Sequence, residues 1–236
     1  NNVVLMKKIG LIGGVGPVST VNYYLELNRL YHNDFGVNEY PEIVIDSLSL
    51  NKVTTALADE RYDIVCETLK KSADILRNAG AECVAICSNT PHIVLSQIVD
   101  ELPLPIVSIV DANVQAVKNG GYKNVLVLGT LATMQSGMYQ SVLAENGISS
   151  VTPSVEDQQT IADIIFPNLE NGIVDPDERL EMLALVEKYV AYQSVDAVLL
   201  ACTELPLIIK PADLTIPVID TALVHAKEIY EFAVKQ

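Results

Sequence analysis

Glu82-Cys83-Val84-Ala85-Ile86-Cys87-Ser88-Asn89-Thr90-Pro91-His92 opens as an apolar run and breaks off into polar side chains. Asp196-Ala197-Val198-Leu199-Leu200-Ala201-Cys202-Thr203-Glu204-Leu205-Pro206 does the same further down the chain. Each run is short for a helix and rich in branched aliphatic residues, so each reads as a buried strand. Each ends on a side chain capable of proton or nucleophile chemistry: Cys87 or Ser88 in one, Cys202 in the other. In parallel α/β sheets, ligands bind outside the carboxyl ends of strands. The two strand ends are therefore the candidate site.

Working outward from the first stretch, Lys8-Ile9-Gly10-Leu11-Ile12-Gly13-Gly14-Val15-Gly16-Pro17 reads as a strand running into a glycine-rich turn. A helix carrying Val21, Tyr24, Leu25, Leu27 and Leu30 follows, with Ser19 or Thr20 as its expected cap. Amides at such a turn can cradle an anion. A dinucleotide site is disfavoured, because Gly14-x-Gly16 lacks the third glycine and the acidic residue after a second strand. Glu42–Leu48 reads as a second strand, and Asp59–Ala79 as an amphipathic helix stopped by Gly80. A helix over Ile93–Val99 and a buried strand over Leu104–Asp111 complete the half.

The second half repeats the first. Lys123–Thr130 matches Lys7–Gly14, the two polar strand ends match at an offset of about 115 residues, and Leu104-Pro105-Ile106-Val107 matches Ile216-Pro217-Val218-Ile219. The expected fold is α/β: two similar three-layer domains with mostly parallel sheets, related by a pseudo-twofold axis, with the site in the cleft between them. The expected domains are residues 1–112 with the C-terminal helix 225–236, and residues 113–224.

Composition narrows the function. Thirty acidic against fifteen basic residues give a net charge of −15, which argues against a nucleic-acid partner. No apolar run approaches the roughly 20 residues of a membrane helix. Residues 1–5, ahead of Met6, are too short for a signal peptide and are expected to be an extension before the native start. Four cysteines without a CxxC pair point to reduced thiols and a cytoplasmic setting. Cys66 and Cys83 are expected in the core. Three scattered histidines leave little material for a metal site, so neither metal nor cofactor is expected. His225 is expected on a helix surface, and His92 either orients Ser88 or caps and packs.

Gly13-Gly14-x-Gly16-Pro17, Ser88-Asn89-Thr90-x-His92 and Ala201-Cys202-Thr203-Glu204 together resemble the cofactor-independent aspartate/glutamate racemase family. The resemblance runs from about Lys8 to the C-terminus. It is nearest the acidic amino-acid racemase branch whose first strand end reads Cys-Thr-Asn-Thr. It implies an isomerase acting on an amino acid, most simply aspartate or glutamate, as a homodimer. It also implies that Cys202 is one catalytic thiol. Asn89, Thr90 and Thr203 would hold the substrate's α-carboxylate and amine, and Gly14, Val15 and Gly16 would line the same pocket. Glu204 either poises Cys202 or caps the helix after it.

Three positions depart from the family's two-cysteine pattern. Ser88 stands where the first thiol belongs, and Cys87, one residue earlier, would point to the opposite face of a regular strand. Thr54 and Thr160 stand where an arginine and a lysine would grip a side-chain carboxylate, and Lys52 is the nearest substitute cation. Two alternatives follow. One is a single-thiol decarboxylase or cis–trans isomerase of a small dicarboxylate. The other is a non-catalytic carboxylate-binding protein.

Overall fold

The computed structural model describes residues 6–36 and 39–235, so the expectation about residues 1–5 lies outside the described residues. The chain forms two compact units: one holds the chain up to Ala112 and again from Ala222, the other Asn113–Thr221.

In the first unit, β1 (Ile9–Gly13) leads into α1 (Pro17–Phe35), β2 (Ile43–Ser47), α2 (Leu50–Ala58), α3 (Tyr62–Asn78) and β3 (Cys83–Ile86). A 3₁₀ turn over Thr90–Val94 and the short α4 (Leu95–Ile98) follow, and α5 (Ile109–Asn119) carries the chain across the unit boundary. The sheet is parallel throughout, in the order β2-β1-β3. Alternation along its strands sorts the core onto two faces. Ile9, Leu11, Cys83, Ala85 and Cys87 pack with Tyr23 and Leu27 of α1 and with Ala226, Ile229 and Ala233 of the C-terminal helix. Ile12, Val84 and Ile86 pack on the other face with Val53, Val65, Leu69, Ala73 and Leu76. Gly10 lets α3 and the turn after it approach closely, since a Cβ there would lie 3.2 Å from that of Leu76 and 2.9 Å from that of Ala81.

In the second unit come β4 (Asn124–Gly129), α6 (Leu131–Ser136), α7 (Met138–Glu145), β5 (Ser149–Val151), α8 (Val155–Ile165) and α9 (Pro176–Tyr192). Then follow β6 (Ala197–Ala201), α10 (Leu205–Ile208), β7 (Val218–Asp220) and α11 (Thr221–Val234), which returns to the first unit. The order β5-β4-β6-β7, again parallel, repeats the winding of the first sheet. Leu126, Leu128, Val198 and Leu200 pack with Ile161, Ile165, Met182 and Val186 of α8 and α9. The intervening Val125, Val127, Ala197 and Leu199 are buried as well, so the strands read as continuous apolar runs. Asp175 caps α9 by accepting from the amides of Asp177 and Glu178, and Pro176 fills the first helical position.

Three local expectations are corrected, and the buried face of α1 is defined. The strand expected over Leu104–Asp111 shrinks to one parallel bridge, Ile106 to Val84, and α5 starts at Ile109. Pro103 and Pro105 carry no N–H, so this edge cannot extend into a longer ladder. The helix expected over Asp59–Ala79 is α3, which starts only at Tyr62, because Glu60 at φ 54° separates it from α2, a helix the sequence reading did not anticipate. The buried face of α1 is Ser19, Thr20, Tyr23, Leu27 and Tyr31, while Val21, Tyr24 and Leu25 are exposed. Finally, Gly16 is the N-cap of α1 and Pro17 its first residue, which releases Ser19 and Thr20 for other bonds.

Candidate active site

In the first unit the expected site residues gather at the carboxyl ends of β1 and β3. The two strands run in register to Ile12 and Ile86, and the Cys87 amide extends the ladder by donating to the Ile12 carbonyl at 2.9 Å. Gly14 turns the chain at φ 86°, and a Cβ there would lie 2.1 Å from the Leu48 carbonyl oxygen. Its amide donates to Thr20 Oγ1 at 2.9 Å, and Thr20 in turn donates to the Gly16 carbonyl. The Gly14 amide is thus engaged inside the turn.

Beyond the ladder the chain leaves the strand. Cys87 is fully buried on the α1 face with Cys83 and Ala85, and burial pushes its thiol far up. Burial also raises Cys83, to about 11. Ser88, half-buried, follows Cys87, and Asn89 is buried. Thr90 opens the 3₁₀ turn. Lys52 is exposed on α2, and the Thr54 hydroxyl donates back into its own helix, to the Leu50 carbonyl at 3.0 Å. A groove of about 350 Å³ lies between α1 and β2, lined by Pro17, Thr20, Val21, Tyr24, Ile45 and Ser47. None of the expected site residues lines it.

His92 is buried, and its ring nitrogens are both engaged. The Ile109 amide donates to Nε2 at 3.2 Å, so Nδ1 carries the proton and donates to the Ser88 carbonyl at 2.9 Å. Burial lowers its pKa to about 4, and the ring is neutral. His225 corrects the expectation of a surface histidine: it is fully buried, its Nε2–H donates to the Val107 carbonyl, and Nδ1 accepts from the Tyr23 hydroxyl, both at 2.8 Å. Burial first and His92 second lower its pKa to about 3.

In the second unit Cys202 follows the last residue of β6 and is 4% exposed. Its Sγ donates to Glu204 Oε2 at 3.1 Å, and the Thr203 hydroxyl lies 2.9 Å from both oxygens of the same carboxylate. The Glu204 side chain makes no capping bond to α10. Burial raises the thiol well above its ordinary pKa, and the Glu204 carboxylate adds to the rise. The amides of Glu204 and Leu205 work the other way, stabilising a thiolate. Glu170 was missed from the sequence. Its carboxyl is raised by burial and then by the charge of Glu204, which places it within electrostatic reach. It sits in a 3₁₀ turn over Leu169–Asn171, and no periodic or motif signal marks it. Thr160 is on α8, its hydroxyl bonded to the Glu156 carbonyl of its own helix at 3.3 Å.

Among the described residues no group of three or more His, Cys, Asp or Glu is placed to hold a metal ion. No helix among them is long and apolar enough to cross a membrane.

Parallel α/β units with a hydrogen-bonded thiol at a strand end are compatible with an amino-acid racemase, and comparison with known proteins shows that class. The chain belongs to the Asp/Glu/Hydantoin racemase family, whose sequence pattern matches residues 12–229. It is 27% identical over 226 residues to the broad specificity amino-acid racemase RacX of Bacillus subtilis (strain 168), covering 93% of this chain and 95% of that one. Among solved structures it superposes on an aspartate racemase homologue from Pyrococcus horikoshii OT3 with TM-score 0.85 and 35% identity, over 98% of this chain and 100% of the other. The Picrophilus torridus aspartate racemase gives TM-score 0.77 and 27% identity, over 97% and 95% of the two chains.

Proposed function

We propose that the enzyme racemises an acidic amino acid, aspartate or glutamate, without a cofactor, with Cys202 as the competent thiol and Ser88 at the second-base position. The observation that carries this reading is the 3.1 Å contact between Cys202 Sγ and the Glu204 carboxylate. In the proposed cycle the thiol proton passes to Glu204, and the amides of Glu204 and Leu205 stabilise the thiolate. The thiolate then removes the α-proton from one enantiomer, leaving a carbanion delocalised into the α-carboxylate. The Ser88 hydroxyl, drawing on solvent, returns a proton to the opposite face and completes inversion, and the proton held by Glu204 passes back to solvent, so that the net proton count is unchanged. Asn89, Thr90 and Thr203 hold the α-carboxylate and amine. Gly14, Val15 and Gly16 line the pocket beside them, and Lys52 and Thr160 lie toward the substrate's side chain. The likeness to the Picrophilus torridus aspartate racemase supports an acidic substrate, and the broad-specificity relative supports a wider range.

A second reading has its own observation. Cys87 is buried in the core and Ser88 carries only a hydroxyl, which supports a reading that uses Cys202 as its one thiol. One thiol serves a decarboxylase or cis–trans isomerase of a small dicarboxylate. Incubating the protein with L- and D-amino acids in deuterated buffer, and following α-proton exchange by NMR, separates the readings. Exchange of aspartate or glutamate supports the racemase. Turnover of a dicarboxylate without any amino-acid exchange supports the alternative, and neither activity leaves a carboxylate-binding protein. We also infer a cytoplasmic homodimer; the four free cysteines support the reducing compartment, and sedimentation would measure the dimer.

A further inference from the structure

Two consecutive carbonyls at the first strand end are held by side chains. Ser19 Oγ donates to the Cys87 carbonyl at 3.0 Å, and His92 Nδ1 donates to the Ser88 carbonyl at 2.9 Å. The chain has left the sheet ladder here, so these bonds replace the strand pairing that fixed the preceding residues. The peptide unit is planar and trans, so its C=O and N–H point in opposite directions. Holding the Ser88 oxygen therefore sets where the Asn89 N–H points. The other ring nitrogen of His92 accepts from the amide of Ile109, the first residue of α5. Behind it the His225 ring stands edge-on with centroids 6.1 Å apart, and His225 holds the Val107 carbonyl. The imidazole of His92 thus ties the strand end to a segment fixed from its other side.

We propose that His92 is a positioning residue, which aims the Asn89 amide and the Asn89 and Thr90 side chains by gripping the Ser88 carbonyl. Its effect on turnover rests on the racemase mechanism above, whereas its effect on the strand end does not. Two substitutions split the imidazole's two bonds. In His92→Asn the amide nitrogen can replace Nδ1 and keep the Ser88 bond while Ile109 loses its acceptor. In His92→Gln the amide oxygen can replace Nε2 and keep the Ile109 bond while Ser88 loses its donor.

Backbone amide NMR of the full chain reads the strand end directly. Asn89 and Thr90 signals should move in His92→Gln and stay near their wild-type positions in His92→Asn, whatever the two variants' melting temperatures. Since displacing a positioned group by about 1 Å can cost 10²-fold, α-proton exchange should fall roughly 10- to 100-fold in His92→Gln but only about threefold in His92→Asn. Unmoved Asn89 and Thr90 signals in His92→Gln, or equal movement in both variants, would overturn the proposal. If the wild type exchanges no amino acid, the racemase reading fails, and the NMR comparison still decides the role of His92.

Discussion

The thiol of Cys202 donates to Oε2 of Glu204 across 3.1 Å, and the same carboxylate receives the Thr203 hydroxyl instead of capping α10. A carboxylate so placed has two opposed effects on the thiol. Its charge disfavours the thiolate, and its oxygen is the nearest group able to take the proton. Glu204→Gln removes both effects. The thiolate should therefore form at lower pH than in the wild type, though still above an ordinary cysteine because burial is the larger cause. Turnover should nevertheless drop, by roughly the 10²-fold lower end of what a general base supplies, while Cys202→Ala should abolish exchange altogether. Thiolate absorbance titrated against a Cys202→Ala reference gives the first quantity and α-proton exchange the second. An unchanged titration would mean that Glu204 does not face the thiol in solution.

Much of this was legible in the sequence because both strand ends are abrupt. Apolar runs of five residues followed by Ser-Asn-Thr or Thr-Glu have few readings. The register of Cys87 and Ser88 followed from the two-residue period of a strand, and Cys87 does pack with Cys83 and Ala85. What escaped depended on contacts distant in sequence. His225 reads as a helix residue until Val107 and Tyr23 are brought to its two nitrogens from 118 and 202 residues away. Glu170 belongs near Glu204 only because a 3₁₀ turn packs beside α10. The buried stripe of α1 was not legible for a simpler reason: it is built partly from Ser19, Thr20 and three tyrosine or leucine positions, which an apolar-periodicity count underweights.

The buried histidines predict an acid-labile fold. Both have pKa values lowered from about 6.5, His92 to about 4 and His225 to about 3. Between those limits the unfolded chain binds more protons than the folded one, so stability rises with pH there. The stabilisation is complete above about pH 6.5 and is lost as pH falls toward 4. By pH 5 the loss should be about 2 kcal/mol for each histidine. Denaturant unfolding at a series of pH values measures it. A flat profile from pH 7 to 5 would show that the two rings are not buried as neutral bases.

Gly14 tests the turn. Its φ of 86° suits glycine, and an added Cβ would sit 2.1 Å from the Leu48 carbonyl oxygen, a backbone atom that cannot rotate away. Gly14→Ala should thus cost more than the roughly 1 kcal/mol typical of the left-handed backbone alone. Gly121, also at positive φ but with nothing within 4 Å of an added Cβ, is the control, and Gly121→Ala should carry only that conformational cost. Paired melting curves decide it, and equal losses in the two variants would contradict the close approach at Gly14.

The second base can be tested by moving one sulfur. Cys87 is fully buried on the α1 face, its thiol raised by burial, whereas Ser88 sits one residue on, half-buried and off the strand. If Ser88 holds the place of the second base, its hydroxyl supplies no accessible thiolate, and proton abstraction by Cys202 serves one enantiomer. Ser88→Ala should then change that exchange little. Ser88→Cys should add exchange of the opposite enantiomer, because a general base is typically worth 10²–10⁴-fold. Cys87→Ala should leave exchange intact and lower stability by roughly 1–2 kcal/mol, the usual scale for emptying a small buried site. Rates for L- and D-aspartate measured across the three variants, each checked for folding by circular dichroism, separate the possibilities. Loss of exchange in folded Cys87→Ala, with no gain in Ser88→Cys, would mean that Cys87 turns out of the core during catalysis and that Ser88 is not the second-base position.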